Sequence, residues 1–398
     1  MSKQEFEWPN IDWWGVVKKH QANARKYMQE NGIDLLLINE PDTIHSLIGM
    51  STMKFYDGYQ AIRFLVDQNF NGVFFSPFSG EPEIPFQYPG IEGIEKSLSV
   101  GSNAFYPSLQ VEVLVREIAE RKAKRVGVDR VFADIHFEVQ RRLPDVEFVP
   151  VLWDLRKLRE IKFPEEIEEM EVCAKICARG HKIAMEEAYV GITDGQLSGI
   201  FAEYVCAQNA MFPHNLYNLL GPTFEHWGIF GQKLDDGDNI VIDYGLYSKH
   251  GYIADMGRTM WVGNADPKFV DHTVRHAEAT LDVGHNVLKP GMNKVEIAEA
   301  YKSAFRKADL SDHLHMLGHS CGFRVNEYPA LDDSPVGMKW GEDAILKEGM
   351  VLCLEPMIIS ENRGDKFAMI QHEDMWVVEA NSLRLLSTGG GYMGKNVK

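Results

Sequence analysis

Five residues in the C-terminal half of the chain have side chains that could bind metal ions. They are four carboxylates and one imidazole: Asp243, Asp255, His319, Glu355 and Glu373. Each lies in or beside an apolar, strand-like run, such as VIDYG or MVLCLEPMII, where an unpaired charge is costly. Four acids buried together repel one another unless a positive charge lies between them. A pair of divalent cations is the simplest arrangement that meets this requirement.

Ligands of these types also restrict the metal and its chemistry. Oxygen donors with a single imidazole favour hard or borderline ions, namely manganese, iron(II), cobalt or zinc. Two such ions about 3.5–4 Å apart would activate a water molecule as nucleophile and polarise a substrate carbonyl. One carboxylate could then move a proton from that water to a leaving nitrogen.

Simpler interpretations of three of these acids stay open at this point. Asp243 precedes a glycine, as turn residues often do. Glu355 and Glu373 could instead form salt bridges with Arg258 or Lys366. Buried glutamate is rare without a partner and buried ion pairs seldom stabilise a fold, so a metal site is the favoured interpretation.

The overall composition is that of a globular protein and excludes several classes of partner. The 398 residues are 45% hydrophobic and 25% charged, with a formal net charge of -17. This charge argues against nucleic acid or an anionic membrane as the main partner. We expect no membrane span and no N-terminal signal, since neither pattern is present. Five cysteines without zinc-type pairing favour a reducing cytoplasm.

The elements that position the candidate ligands fall into two predicted domains. Residues 1–157 alternate helix and strand signals, beginning with a helix over 15–31, and predict a small α/β domain. Residues 158–398 predict an α+β domain, in which a helix begins at Pro164 and another covers 268–288.

Strands in the second domain would bring the acids together. The pattern predicts an antiparallel pair joined by a short turn through Ser248–Gly251. The arms of such a pair lie about 5 Å apart, so Asp243 and Asp255 could reach one site. The run FAMIQHEDMWVVEA, which contains Glu373, also reads as a strand.

Taken together, these motifs resemble the pita-bread fold metallopeptidases, which include methionine aminopeptidase, aminopeptidase P, prolidase and the non-peptidase relative creatinase. LREIKFPEEIEEME resembles the family's helix opening after the N-terminal domain, and VIDYG with GYIADMGRT its aspartate pair. LGHSCGF resembles the histidine motif, GMVLCLEPMI the Glu-Pro strand, and IQHEDMWVV the last glutamate strand. The likeness covers nearly the whole chain. It implies an α/β N-terminal domain followed by an α+β pita-bread catalytic domain.

The resemblance also implies roles for individual residues. Two metal ions would be held by the five residues named above, with Asp255 and Glu373 bridging both ions. Glu355 would be the proton shuttle. His226, seventeen residues before Asp243, lies where prolidase-like members keep a histidine that steadies the substrate during catalysis.

Departures from the family pattern lie around the expected substrate rather than around the metals. Asn326 stands where the peptidases usually have a second histidine, so we expect it to bind substrate. An amide can hydrogen-bond a carbonyl but cannot exchange a proton near neutral pH. Gln371 stands where the peptidases often have an arginine, and the segment between Asp243 and Asp255 is one residue longer.

The favoured function is therefore metal-dependent hydrolysis of a C–N bond, resembling that of an Xaa-Pro dipeptidase or aminopeptidase. The alternatives are a relative of creatinase, ectoine hydrolase or dimethylsulfoniopropionate lyase that acts on a small metabolite, and a non-catalytic binding module. Val241 occupies the position where those lyases have an additional aspartate, which argues against that type. The resemblance implies a dipeptide or small-molecule substrate and a homodimer.

Overall fold

The chain divides into two structural units. The structure, a computed structural model, describes residues 4–49, 63–76, 94–99, 107–130, 132–219, 228–229, 231–331, 344–363 and 366–389. One unit is Asp12–Arg159, and the other is Glu160–Lys398 together with the residues up to Ile11. No helix among the described residues is long and apolar enough to cross a membrane.

The start of the chain belongs to the larger unit, which differs from the predicted division into residues 1–157 and 158–398. The reason is a set of hydrogen bonds to one glutamine. The backbone N–H groups of Glu5 and Phe6 donate to the side-chain oxygen of Gln208, at 2.6 and 3.3 Å. The indole of Trp8 donates to the backbone carbonyl of Gln208 at 2.9 Å.

The smaller unit is an α/β domain, as predicted. Its elements are α1 (Trp13–Glu30), β1 (Leu35–Ile38), α2 (Pro41–Ile48), β2 (Arg63–Asp67), β3 (Gly72–Ser76), β4 (Ile94–Ser99), α3 (Pro107–Glu120), β5 (Arg125–Val128), α4 (Ala133–Arg142), β6 (Glu147–Pro150) and α5 (Leu152–Lys157). The described strands form one mixed sheet in the order β4-β3-β2-β1-β5-β6. Alternate residues of β1 enter two separate apolar clusters, so both faces of the sheet are covered.

The larger unit contains all five candidate ligands. Its elements are α6 (Pro164–Glu187), α7 (Asp194–Ala207), β7 (Phe212–Leu219), β8 (Asn239–Tyr247), β9 (Ile253–Trp261), α8 (Pro267–Asp282), a π-helical segment (Val283–Val287), α9 (Lys294–Lys307), β10 (Leu314–Ser320), β11 (Glu327–Ala330), β12 (Val351–Arg363), β13 (Lys366–Ile370), β14 (Asp374–Val378) and β15 (Leu383–Leu385). Helix α6 begins at Pro164, where the sequence predicted it.

Two antiparallel sheets form the framework of this unit. One has the order β7-β8-β9, and the other β11-β10-β12-β14-β15 with β13 also paired to β12. A bridge between Arg258 and His372 joins them. Leu352 and Leu354 of β12 belong to the same apolar cluster as Phe269 and Tyr301 of helices α8 and α9. Because side chains alternate along a strand, the residues between and after these leucines face the opposite side.

Two predicted elements are interrupted in the structure. The helix predicted over 268–288 is α-helical only to Asp282 and continues as the π-helical segment. The strand predicted for FAMIQHEDMWVVEA is broken after Ile370. There the backbone turns to β9: Thr259 N–H donates to the carbonyl of Gln371 at 3.1 Å, and Glu373 N–H to that of Gly257 at 2.9 Å.

Candidate metal centre

The first two candidate ligands lie on the β8–β9 hairpin, which turns where the sequence predicted. Asp243 lies opposite Gly257, and Asp255 opposite Gly245. The two aspartates are therefore diagonal neighbours on one face of the hairpin. Asp243 is 7% exposed and Asp255 3% exposed. In the turn, Ser248 N–H donates to the carbonyl of Tyr252 at 2.8 Å.

The next two ligands come from β10 and β12. Glu355 lies on the face of β12 opposite the apolar cluster, and its Oε1 is 3.3 Å from Nε2 of His319. The same Nε2 is 3.9 Å from Oδ2 of Asp255. Nδ1 of His319 lies 3.1 Å from the backbone carbonyl of Ser320. A carbonyl only accepts, so Nδ1 is the protonated nitrogen and Nε2 keeps its lone pair for a metal ion.

A glycine allows these strands to approach closely. Gly318, beside His319, has a φ of +137°, and a Cβ there would lie 2.1 Å from the carbonyl oxygen of Cys353. Any other residue would push β10 away from β12. The close approach sets the imidazole of His319 beside the carboxylate of Glu355.

The break between β13 and β14 positions Glu373 and Gln371. Gln371 is held over β9 on both sides, because its N–H donates to Oγ1 of Thr259 at 2.8 Å and its carbonyl accepts from Thr259 N–H. Its Nε2 donates to Oε2 of Glu355 at 3.2 Å and to Oε2 of Glu373 at 3.3 Å. Beneath it lies Gly257, where a Cβ would lie 2.6 Å from Nε2 of Gln371. Gln371 thus links the two glutamates.

The structure brings all five predicted ligands together, in two overlapping sets. One set is Asp255, His319, Cys353 and Glu373; the other is Asp243, Glu355 and Glu373. Within each set the ligand atoms lie within 4.8 Å of one another, and all the residues are buried. Glu373 is common to both sets. The bridging role that the resemblance also implies for Asp255 stays a prediction.

The electrostatics of the centre fit a cation. Burial, followed by the negative charge of Asp255, raises the pKa of Asp243 well above its usual value. Burial and the charges of Asp255, Glu355 and Asp243 do the same for the pKa of Glu373. Among the described residues, Oδ1 of Asp243 and Oε1 of Glu373 are buried without a hydrogen-bond partner. Carboxylate oxygens left in this state are suited to bind divalent ions.

Arg258 is used to hold the backbone of the centre. Its Nη2 forms an ion pair with Oδ1 of Asp374 at 2.7 Å, and its Nη1 donates to the backbone carbonyl of Glu373. Burial alone would raise the pKa of Asp374, but Arg258 and His372 hold that pKa below its usual range. The salt bridge left open for Glu373 is therefore made by its neighbour. The side chain of Lys366 lies outside the described residues.

Of the two residues expected to bind substrate, the structure describes only Asn326. His226 lies outside the described residues. Asn326 is exposed, in the bend before β11, and its role in substrate binding stays a prediction. Its neighbour Glu327 is buried and pairs with Lys162 at 3.4 Å.

Two further residues belong to the centre but were not predicted from the sequence. Cys353 lies two residues before Glu355, on the same face of β12, and the period of a strand could have identified it. Tyr217 of β7 lies opposite Asp243. Burial, then the charges of Asp243 and Asp255, raise the pKa of Tyr217, which places its hydroxyl in their field.

Comparison with known proteins identifies the class to which this fold and centre belong. The model of metallopeptidase family M24 matches residues 168–380, the part of the chain that contains all five candidate ligands. The chain belongs to this family of metal-dependent hydrolases. A relative from Bacillus subtilis, described as uncharacterized peptidase YqhT, is 31% identical over 252 residues, which cover 62% of this chain and 67% of the relative.

More distant relatives extend over both units. The Xaa-Pro dipeptidase of Pyrococcus furiosus is 24% identical over 384 residues, covering 93% of this chain and 98% of that protein. The crystal structure of the prolidase from Pyrococcus horikoshii OT3 is similar with a TM-score of 0.74 at 20% identity, covering 93% of this chain and 98% of that chain. This likeness confirms the predicted fold, an α/β domain followed by an α+β pita-bread domain.

Proposed function

We propose that the chain is a dinuclear metal-dependent hydrolase that cleaves the C–N bond of Xaa-Pro dipeptides. The observation that supports this most directly is the pair of overlapping buried ligand sets that share Glu373. Two relatives named Xaa-Pro dipeptidase, which match along more than nine tenths of the chain, support the substrate class.

The metal ions would be held by Asp243, Asp255, His319, Glu355 and Glu373, and would be manganese, iron, cobalt or zinc. When bound, such a pair activates water as a nucleophile and polarises the carbonyl that is attacked. The remaining work falls to side chains of the protein.

Glu355 is proposed to move the proton. Gln371 donates to Oε2 of Glu355 at 3.2 Å, which holds the carboxylate in one orientation. Oε1 then takes the proton of the attacking water and delivers it to the proline nitrogen as the amide bond breaks. Of the hydrogen-bonded pair Gln371 and Glu355, only the carboxylate of Glu355 can exchange protons, because an amide does not titrate. His226 and Asn326 are proposed to hold the substrate.

A homodimer and a cytoplasmic location complete the proposal. All five cysteines are free thiols, four of them buried, which is typical of a reducing compartment. Light scattering at working concentration would measure the mass in solution. A mass of one chain of 45.2 kDa would contradict the dimer.

A substrate panel is the experiment that distinguishes the candidate reactions. Metal-loaded protein would be given Xaa-Pro dipeptides, matched Xaa-Ala dipeptides, creatine, ectoine and dimethylsulfoniopropionate, with product release followed by chromatography. We expect hydrolysis of the Xaa-Pro dipeptides and its loss in the Glu355→Gln variant. Turnover of a small metabolite alone would replace the dipeptidase proposal, and no turnover by fully loaded protein would favour a binding module.

A further inference from the structure

Cys353 lies inside the metal centre rather than in the apolar core beside it. It is opposite His319 in the β10–β12 ladder and 0% exposed. Its neighbours Leu352 and Leu354 belong to the apolar cluster against α8 and α9. Alternation along the strand therefore turns Cys353 to the same side as Glu355.

The thiol is within reach of three candidate ligands. Ligand atoms of Cys353, Asp255, His319 and Glu373 all lie within 4.8 Å of one another. Sγ of Cys353 is also 3.8 Å from the backbone carbonyl of Asp255, so it faces β9. In the same set, Oε1 of Glu373 is buried without a hydrogen-bond partner. Thiolate sulfur, imidazole nitrogen and carboxylate oxygen are the donor types that zinc takes in proteins.

The other set has a different chemistry. Asp243, Glu355 and Glu373 supply only carboxylate oxygen. Hard ions such as manganese and magnesium prefer oxygen, whereas thiolate ligands select zinc and other softer ions. One centre thus contains an all-oxygen position next to a position with sulfur, nitrogen and oxygen donors.

We propose that the thiolate of Cys353 binds the metal ion held by Asp255 and His319, and makes the two metal positions chemically unequal. The mixed position then prefers zinc or cobalt, and the all-oxygen position accepts manganese. Binding releases the thiol proton, because only the thiolate is a metal ligand. This inference rests on the proposed metal centre and adds a ligand and a metal preference to it.

Cobalt spectroscopy tests the inference without measuring catalysis. Metal-free protein would be titrated with Co²⁺, and absorption recorded for wild type, Cys353→Ser and the control Cys173→Ser. Cys173 is a second buried thiol, on helix α6, with its Sγ 3.7 Å from the backbone carbonyl of Leu246. We expect a sulfur-to-cobalt charge-transfer band in wild type and in the control, and its loss in Cys353→Ser while the weaker d–d bands of bound cobalt persist.

The outcomes separate this inference from the proposed function. Cobalt bound to wild type without a charge-transfer band overturns the role of Cys353 and leaves the metal centre standing. No cobalt bound overturns the metal centre as well. A band lost in Cys173→Ser but kept in Cys353→Ser would assign the sulfur ligand to helix α6 and would also overturn the inference.

A second measurement avoids dependence on the variant's folding. X-ray absorption of wild-type protein loaded with one equivalent of zinc should show a sulfur neighbour at about 2.3 Å. A shell of nitrogen and oxygen alone would contradict the proposal. Competition titrations should show that Cys353→Ser loses zinc affinity at least about 10-fold, with manganese affinity unchanged.

Discussion

Replacing Gln371 by glutamate exchanges an amide donor for a carboxylate at the centre of four acids. The side chain is 1% exposed, and its Nε2 donates to both Glu355 and Glu373, at 3.2 and 3.3 Å. Carboxylates only accept, so the nitrogen must face them. In Gln371→Glu the same volume is filled, but both hydrogen bonds are lost and a fifth ionisable carboxyl group is added.

The size of the effect follows from these two contacts. A hydrogen bond to a charged group stabilises by about 1.5–3 kcal/mol, so two long ones contribute about 3 kcal/mol to the free energy of unfolding. For a unit of this size, that lowers the melting temperature by about 6–12 °C. The loss should be largest in metal-free protein and shrink when Mn²⁺ is added, because cations offset the added charge.

Differential scanning calorimetry at pH 7.5, with and without Mn²⁺, would measure both melting temperatures. The matched control is Gln29→Glu, which adds the same charge to an exposed position of α1. A difference of less than about 1 °C between the melting temperatures of metal-free Gln371→Glu and this control corresponds to less than about 0.5 kcal/mol. Such a result would show that Gln371 does not hold the two glutamates together.

Three other predictions follow from named contacts. His276 donates from Nε2 to the carbonyl of Pro356 at 2.7 Å, and burial, then His372, lowers its pKa to about 3. The unfolded chain takes up a proton below about pH 6.5 that folded His276 does not, so stability falls by about 1.4 kcal/mol per pH unit as pH decreases toward 3. In His276→Gln, the free energy of unfolding measured by urea titration should depend less steeply on pH, by the equivalent of one proton. An unchanged dependence on pH would contradict the assignment. Glu355→Gln should lower kcat by at least about 100-fold while the fold stays intact by circular dichroism; activity near wild type would exclude the shuttle role. Gly257→Ala places a methyl group 2.6 Å from Nε2 of Gln371, so the melting temperature of the metal-free variant should fall toward that of Gln371→Glu. If the decrease in the double variant equals the sum of the two single decreases, the two sites act independently and the prediction is wrong.

The parts of the centre that were predictable from the sequence are those set by local patterns. The hairpin with Asp243 and Asp255 follows from two apolar runs around a short polar turn, and the register then fixes both carboxylates on one face. Glu355 and Glu373 were recognisable because a charge interrupts an apolar run. These signals lie within about ten residues of chain.

The parts that were missed depend on distant partners. The break before Glu373 arises because Gln371 pairs with Thr259, 112 residues away. No local sequence pattern indicates this change of pairing partner. Cys353 was not predicted as a ligand, since its approach to Asp255 depends on how β12 packs against β9. The attachment of the chain's start to Gln208 is also a tertiary contact.

Metal content per chain is the measurement that tests the central claim most directly. Protein would be purified without chelator, reloaded with Mn²⁺ or Zn²⁺ and separated from free ions. Its metal content would then be measured by inductively coupled plasma mass spectrometry. We expect about two equivalents for wild type and about one for Asp243→Asn, because Asp243 belongs to only one ligand set. No bound metal in wild type, or the same content in both proteins, would contradict a dinuclear centre at these residues.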